Sequence, residues 1–374
     1  MKKFFCVAVL CAVTLQWVWS VNLIANDAMG TSSFNSGLNW EGGMAPIPGY
    51  GYITQGYLLR TPSTVGSYTF GGDYLVVGGG DGGGANPFLT NGQVNNNGLI
   101  NKTPANPVIT VPYLILDAGY IRDGMGSTDA WALEGTIEVS PNGGGLACQS
   151  RFDVNSQILG SGPLYIADSG TSDSRRVINI NNSNNTYNGS IYLRGFAAGS
   201  CRLTFSPFSR MNFVPQYGGV CNSVTGTGTV AYNGDFYFDL WNASTNAGDS
   251  WLICNVSSQT FGSSFYIPNA QPMGSGIWWQ ECSGVMYSFD QNTGLLTCLG
   301  APMAVIAPNG GERYPAGTPV EIKYSTAFAP GTSTVTIQYR YTLPYGQTGY
   351  GLIATRVPNT GTYLWTAPDL PFDS

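Results

Sequence analysis

"ALEGTIEVS", residues 132–140, decides how the chain is read. Leu133, Ile137 and Val139 fall on one side of an extended backbone, and Glu134 and Glu138 on the other, because side chains alternate across a strand. The apolar side faces a core and the acidic side faces water. Similar bursts recur from about residue 21 to 300, among them YGYITQGYLLRT (50–61), PYLILDAGYI (112–121), GPLYIADS (162–169), CRLTFSPF (201–208) and GTVAYNGDFYFDLW (228–241). Clusters of Gly, Asn, Ser and Asp separate them and mark turns. Almost nothing in this region reads as helix. The bursts are mostly 15 to 30 residues apart, longer than hairpin spacing and close to one circuit of a parallel β-helix. Such circuits bury their inward side chains only by stacking on one another. The expected fold is therefore all-β: a right-handed parallel β-helix (solenoid) over 21–300. A large jelly-roll or lectin-like sandwich is the competing architecture.

Composition narrows the location and the partners. Residues 1–20, MKKFFCVAVLCAVTLQWVWS, place two lysines before an apolar run and end with Val18 and Ser20 in the small-residue pattern of a cleaved secretory signal. The run from Phe4 to Trp19 is shorter than the ~20 residues a membrane-spanning helix needs, so no membrane span is expected after cleavage. Loss of Lys2 and Lys3 leaves 13 basic against 21 acidic residues, a net charge of −8. Without a Lys/Arg cluster, no nucleic-acid partner is expected. Charged residues make up only 10% of the chain while Gly occupies 51 positions, a balance more typical of extracellular β-rich scaffolds than of intracellular enzymes.

Six cysteines follow the leader: Cys148, Cys201, Cys221, Cys254, Cys282 and Cys298. In an exported chain an even number predicts disulfides, and six allow fifteen pairings. The spacings 201 to 221 and 254 to 282 each approximate one circuit, so staples between adjacent coils are one expectation. The chain has no histidine and no CxxC pair, which argues against a structural zinc site. The glycine-rich stretch 78–97 lacks the Lys-Ser/Thr and helix start of a phosphate loop and reads as a surface loop.

Two resemblances add to this reading. Gly160, Gly162 and Leu164, followed by Asn185, Thr186, Tyr187 and Gly189, match a Gly-x-Gly-x-Leu strand and an Asn-Thr-Tyr-x-Gly segment. With SGLNWEGGMAPIPGYGYITQGYLLRTP earlier, the region 36–240 resembles the autotransporter-type passenger strands of large exported bacterial β-solenoid proteins. Further on, Pro308, Asn309, Gly310, Gly311, Glu312, Tyr314, Gly317 and Thr318, then Asn359, Gly361, Tyr363, Trp365 and Pro368, form a second pattern. It resembles the fibronectin-type-III-like module of Ser/Thr-rich glycolipid-anchored cell-wall proteins, with Tyr324 in place of the usual Trp. The resemblance implies a small Ig/fibronectin-like sandwich over 301–374, incomplete at its C-terminus, with the chain a fragment of a longer protein. Val320, Ile322 and Tyr324 alternate with Glu321 and Lys323 as a half-buried strand should, and Trp365 reads as a core plug between two sheets.

Without histidine, the commonest general base and the Ser-His-Asp and Cys-His arrangements are gone. What remains is carboxylate chemistry. Asp117, Asp123, Asp129, Glu134 and Glu138, with Arg122 among them, form the one acidic concentration. On a straight strand Glu134 and Glu138 stand ~13 Å apart, beyond the ~5–5.5 Å of a retaining and the ~6.5–9.5 Å of an inverting glycosidase. Asp117 could approach either across a coil, and Asp123 with Asp129 could hold a calcium ion; solvent-facing and turn roles are the simpler reading. Trp278 with Trp279, or Trp241 with Trp251, could stack on sugar rings if exposed. Adjacent Trp278 and Trp279 should point to opposite faces. NINNSNNTYNG (179–189) could build asparagine ladders between coils.

The expected protein is an exported structural or adhesive surface protein that contacts cell-wall or matrix polysaccharide, with no catalytic, cofactor or metal residues assigned. The alternative is a polysaccharide-active enzyme, or the accessory part of one.

Overall fold

The computed structural model describes residues 19–79, 98–124, 130–168, 176–194, 201–301, 303–325, 334–342 and 348–368. Most of the leader, the stretch 80–97 and Asp129 lie outside the described residues. Among the described residues the structure is all-β apart from one short 3-10 turn, and nineteen of the strands belong to parallel ladders. It divides into two compact units, one of residues 1–182 and 194–204, the other of 183–193 and 205–374.

In the first unit, successive passes of the chain add one rung to each of three parallel ladders. The first ladder stacks Leu58–Arg60, Gly98–Asn101, Tyr120–Asp123, Gly144–Cys148 and Leu164–Asp168. Gly98 faces Tyr120, Tyr120 faces Gly145 and Gly145 faces Tyr165, steps of 22, 25 and 20 residues. The period expected from the sequence is therefore the physical repeat. The register also aligns like with like. Leu99, Ile121, Leu146 and Ile166 form one fully buried column. Ile109, Leu133, Val154 and Ile180 form a second, and Tyr52, Leu75, Leu114, Ile137 and Ile158 a third. Each inward side chain excludes water from the ones above and below it, at roughly 25 cal/mol per Å² of apolar surface buried. No rung could bury its face alone.

Trp131–Val139 contains all of the opening motif but Ser140 and serves two ladders at once. Trp131 to Leu133 pair with Phe152 to Val154, while Thr136 to Val139 pair with Gln157 to Gly160. Leu133, Ile137 and Val139 are buried and Glu134 is exposed, as the alternation predicts. The strand is not straight, however. Its register to Val108–Asp117 shifts between Val111 and Tyr113, and Gly135 sits there at φ +107. Glu134 and Glu138 thus belong to different ladders, so the straight-strand distance does not describe them.

The asparagine-rich segment supplies rungs outside the core. Asn181 donates to the side chain of Asn155 at 2.9 Å and Asn179 to Asp153 at 2.7 Å.

In the second unit Arg210–Phe213 pairs in parallel with Val224–Phe238, which pairs in turn with Cys254–Tyr266. The core here is aromatic: Phe205, Phe213, Tyr232, Phe236 and Phe265 are buried and in ring contact. From Ala270 the pairing becomes antiparallel. Ala270–Gly274, Ile277–Cys282, Val285–Asp290, Leu295–Gly300 and Ser250–Leu252 form a five-stranded sheet. Residues 270–300, read from sequence as further solenoid, are a meander.

Two smaller antiparallel sheets follow. One joins Val305–Ala307, Pro319–Tyr324 and Thr362–Thr366; the other joins Thr334–Thr342 and Thr348–Pro358. Val320, Ile322 and Tyr324 are buried, while Glu321 and Lys323 are exposed and paired at 3.2 Å. Trp365 lies 5.5 Å from the ring of Tyr339 on the other sheet, but it is half-buried and not the fully buried core residue expected of a plug. In the Asn-Gly-Gly-Glu turn, Glu312 accepts from the backbone N–H of Asn309 at 2.9 Å and of Gly310 at 2.8 Å. These bonds hold its pKa below the usual glutamate value of 4.5. Because the folded value is depressed, the charged form stabilises the turn above the unfolded pKa, and that contribution is lost as pH falls through the folded one. The Gly310 amide proton should therefore titrate with a midpoint below 4.5; a midpoint at or above it would show that the carboxylate does not hold the turn.

The expected staples are not formed. All six cysteines keep their thiols. Cys201 directs its sulfur at the Ile166 carbonyl, 3.5 Å away. Burial pushes the thiol pKa of Cys221 and Cys254 up to about 12 and raises that of Cys298, which suppresses the thiolate that oxidation requires. An even cysteine count carries no information on whether sulfur atoms converge.

Candidate functional site

The segment Asn185-Thr186-Tyr187-Asn188-Gly189 alternates as it crosses the second unit. Asn185 and Tyr187 are buried, and Thr186 and Asn188 are exposed. Asn185 donates to the Arg210 carbonyl at 3.2 Å, and the Tyr187 hydroxyl donates to the Ser190 carbonyl at 2.9 Å. The inward residues anchor the segment, so the outward ones line a surface groove.

Two paired strands form its floor. Met211 and Phe213 point inward from Arg210–Phe213, as do Phe236 and Phe238 from Val224–Phe238. Arg210 and Asn212 therefore point outward, with Tyr237 opposite Asn212. The Arg210 guanidinium carbon lies 3.8 Å from the centroid of the Tyr237 ring, and its Nε donates to Asn212 Oδ1 at 3.0 Å. Asn212 Nδ2 donates to the carbonyls of Asn185 at 3.1 Å and Tyr187 at 3.4 Å. That amide is fully committed: it orients the guanidinium and ties it to the Asn-Thr-Tyr segment. A cation held flat on an aromatic face by a second hydrogen bond is preorganised for binding. Thr186, Asn188, Arg210, Asn212, Val214, Tyr237, Phe238 and Asp239 line a groove of about 330 Å³, within the usual range for small-ligand sites.

Next to Asp239, which lines the groove, the chain carries exposed aromatics. Asp239 accepts from the backbone N–H of Trp241 at 3.3 Å, and Tyr217 N–H donates to the Asn242 carbonyl at 2.9 Å. Trp241 is 78% exposed and Tyr217 74%. Trp251 is buried and donates its indole N–H to the Gln216 carbonyl at 2.7 Å, anchoring the loop that presents Tyr217. Of the expected sugar platforms, Trp241 has the required exposure and Trp251 has a structural role instead. Trp278 and Trp279 are not divided between core and solvent. Both are half-buried, and Trp278 packs edge-on against Phe265 at 5.8 Å and Tyr266 at 5.9 Å.

No family model, curated protein or solved structure matches this chain.

The acidic concentration is dispersed. Asp123 is buried and accepts from Ser150, while Asp117, Glu134 and Glu138 lie on outer faces. Asp117 accepts from Ser140 at 2.6 Å and Asn142 at 2.8 Å, capping a turn. Glu138 accepts from the Tyr113 hydroxyl, a bond that, with burial, pushes the Tyr113 pKa up to about 12. Glu138 stands opposite Ile115, two residues before Asp117, so these two carboxylates occupy neighbouring rungs of one ladder. Among the described residues no three Cys, Asp or Glu side chains gather as a metal-holding set. The calcium expectation needs Asp129, which lies outside them.

The groove's main residues were not singled out in the sequence. Arg210 and Tyr237 are far apart in the chain and meet only through strand register. Alternation in RMNF (210–213) is a signal that could have placed Arg210 and Asn212 outside the core, whereas the consecutive aromatics Phe236, Tyr237 and Phe238 gave none for Tyr237.

Proposed function

We propose that this chain is an exported, non-catalytic structural or adhesive protein that contacts polysaccharide through the groove floored by Arg210 and Tyr237. In this reading residues 1–20 are a cleaved signal. The ladders of 21–300 belong to a right-handed parallel β-helix with the antiparallel meander at its end, and 301–374 is a fibronectin-like sandwich serving as spacer or attachment module. The observation that carries the reading is the groove itself, in which a fixed guanidinium, a phenol ring and outward amide and hydroxyl groups lie beside an exposed tryptophan. Sugars are bound by this combination of flat apolar faces and directed hydrogen bonds. Among the described residues no helix is long and apolar enough to cross a membrane.

The alternative, a polysaccharide-active enzyme, draws on Asp117 and Glu138 on neighbouring rungs. Both carboxylates already accept hydrogen bonds within the fold, and both stand outside the groove. The purified chain is expected to co-sediment with insoluble polysaccharide while releasing no reducing sugar. Sugar release by the parent chain that Asp117→Asn or Glu138→Gln abolishes would establish the enzyme instead.

A further inference from the structure

Taking the polysaccharide reading as its basis, we infer that the groove selects an uncharged sugar chain with adjacent hydroxyls, and that the chain continues from the groove onto Trp241. The argument rests on which polar groups the fold leaves available. Asn212 spends its whole amide on Arg210 and on the carbonyls of Asn185 and Tyr187, so it positions and does not bind. Arg210 spends only Nε, leaving the N–H groups of its two terminal nitrogens, four of the five guanidinium donors, for a ligand. Thr186 and Asn188 are exposed and line the same wall. Asp239 lines it as well and supplies acceptor oxygens.

The ligand must therefore accept hydrogen bonds at Arg210 and Asn188 and donate them at Asp239. A vicinal diol does both. A carboxylated sugar would satisfy Arg210 but would place its charge in the same groove as Asp239. It would also approach a chain whose net charge is −8 once Lys2 and Lys3 leave with the leader, and that field disfavours polyanions over the whole encounter. Within the groove, Arg210 and Asp239 cancel. Trp241, beside Asp239 and 78% exposed, offers the flat face on which the next ring stacks.

The test is affinity electrophoresis of the full chain against four soluble polysaccharides, two neutral (a mixed-linkage glucan and a mannan) and two uronate-bearing (polygalacturonate and alginate), at low and high salt. Retardation by a neutral polymer, little changed by salt, is expected. Arg210→Gln should weaken it roughly ten-fold or more, since a charge-assisted bond is lost. Trp241→Ala should weaken it several-fold while leaving the melting temperature unchanged. Arg210→Lys keeps the charge but not the fork, and it should restore little. Preference for a uronate polymer, with retardation that disappears in salt, would overturn this inference and leave the polysaccharide reading standing. So would binding to a neutral polymer that neither Arg210→Gln nor Trp241→Ala affects. Binding to none of the four would remove both.

Discussion

Gly135→Ala is expected to destabilise the first unit by about 3 kcal/mol, in the range of a strained backbone site with a steric clash added. Gly135 has φ +107, and a Cβ built there would lie 1.9 Å from the Val111 carbonyl oxygen. That oxygen belongs to the backbone of the neighbouring rung, which pairs Val111 with Gly135, so it cannot yield as a flexible side chain would. The position is also the corner at which one strand leaves the second ladder and enters the third. Relief of the clash would therefore disturb the register of Ile137 below Leu114 as well as Leu133 below Ile109. Thr136→Ala, one residue on and half-buried, provides the control and should stay within about 0.5 kcal/mol. Urea denaturation of the whole chain reads both. A Gly135→Ala midpoint equal to that of the control would show that the corner tolerates a side chain and that its glycine is incidental.

The same stretch shows what can be read from sequence. Leu133, Ile137 and Val139 were legible as an inward face because burial acts on each residue separately and leaves a period of two. The corner was not, because glycine is demanded there by a carbonyl from a neighbouring rung and the alternation continues through it. Direction of pairing was equally hidden, since an alternating strand has the same pattern in a parallel ladder and in a meander. Two signals near the meander were nevertheless available. Ser275-Gly276 and Ser283-Gly284 carry positive φ at both residues, the conformation of tight two-residue hairpin turns. Of the groove, the Asn185 to Gly189 segment stood out as a motif, whereas Arg210 and Tyr237 are joined by register and needed the fold. The cysteine expectation failed for a related reason: disulfides depend on where sulfur atoms point, and counting does not reveal that.

Trp131→Ala should cost about 3–5 kcal/mol, as deletion of a buried large aromatic does. The indole is 2% exposed and stacks on Phe152 with centroids 4.0 Å apart and planes 8° from parallel. Phe152 in turn faces Ile178 on the next rung, so the cavity would open in the middle of a column whose members support one another. Trp131→Phe separates two contributions to that cost. Its ring keeps the stack and most of the volume. It also removes the indole N–H, which is buried and finds no acceptor among the described residues. A buried donor without a partner costs about 1–3 kcal/mol, so its removal offsets much of the lost volume, and the phenylalanine variant should fall within about 1.5 kcal/mol of the parent. Denaturant midpoints of the two variants decide the matter. If Trp131→Phe were as damaging as Trp131→Ala, the indole N–H would have to be satisfied in the folded protein, and the column would owe its strength to that bond as much as to stacking.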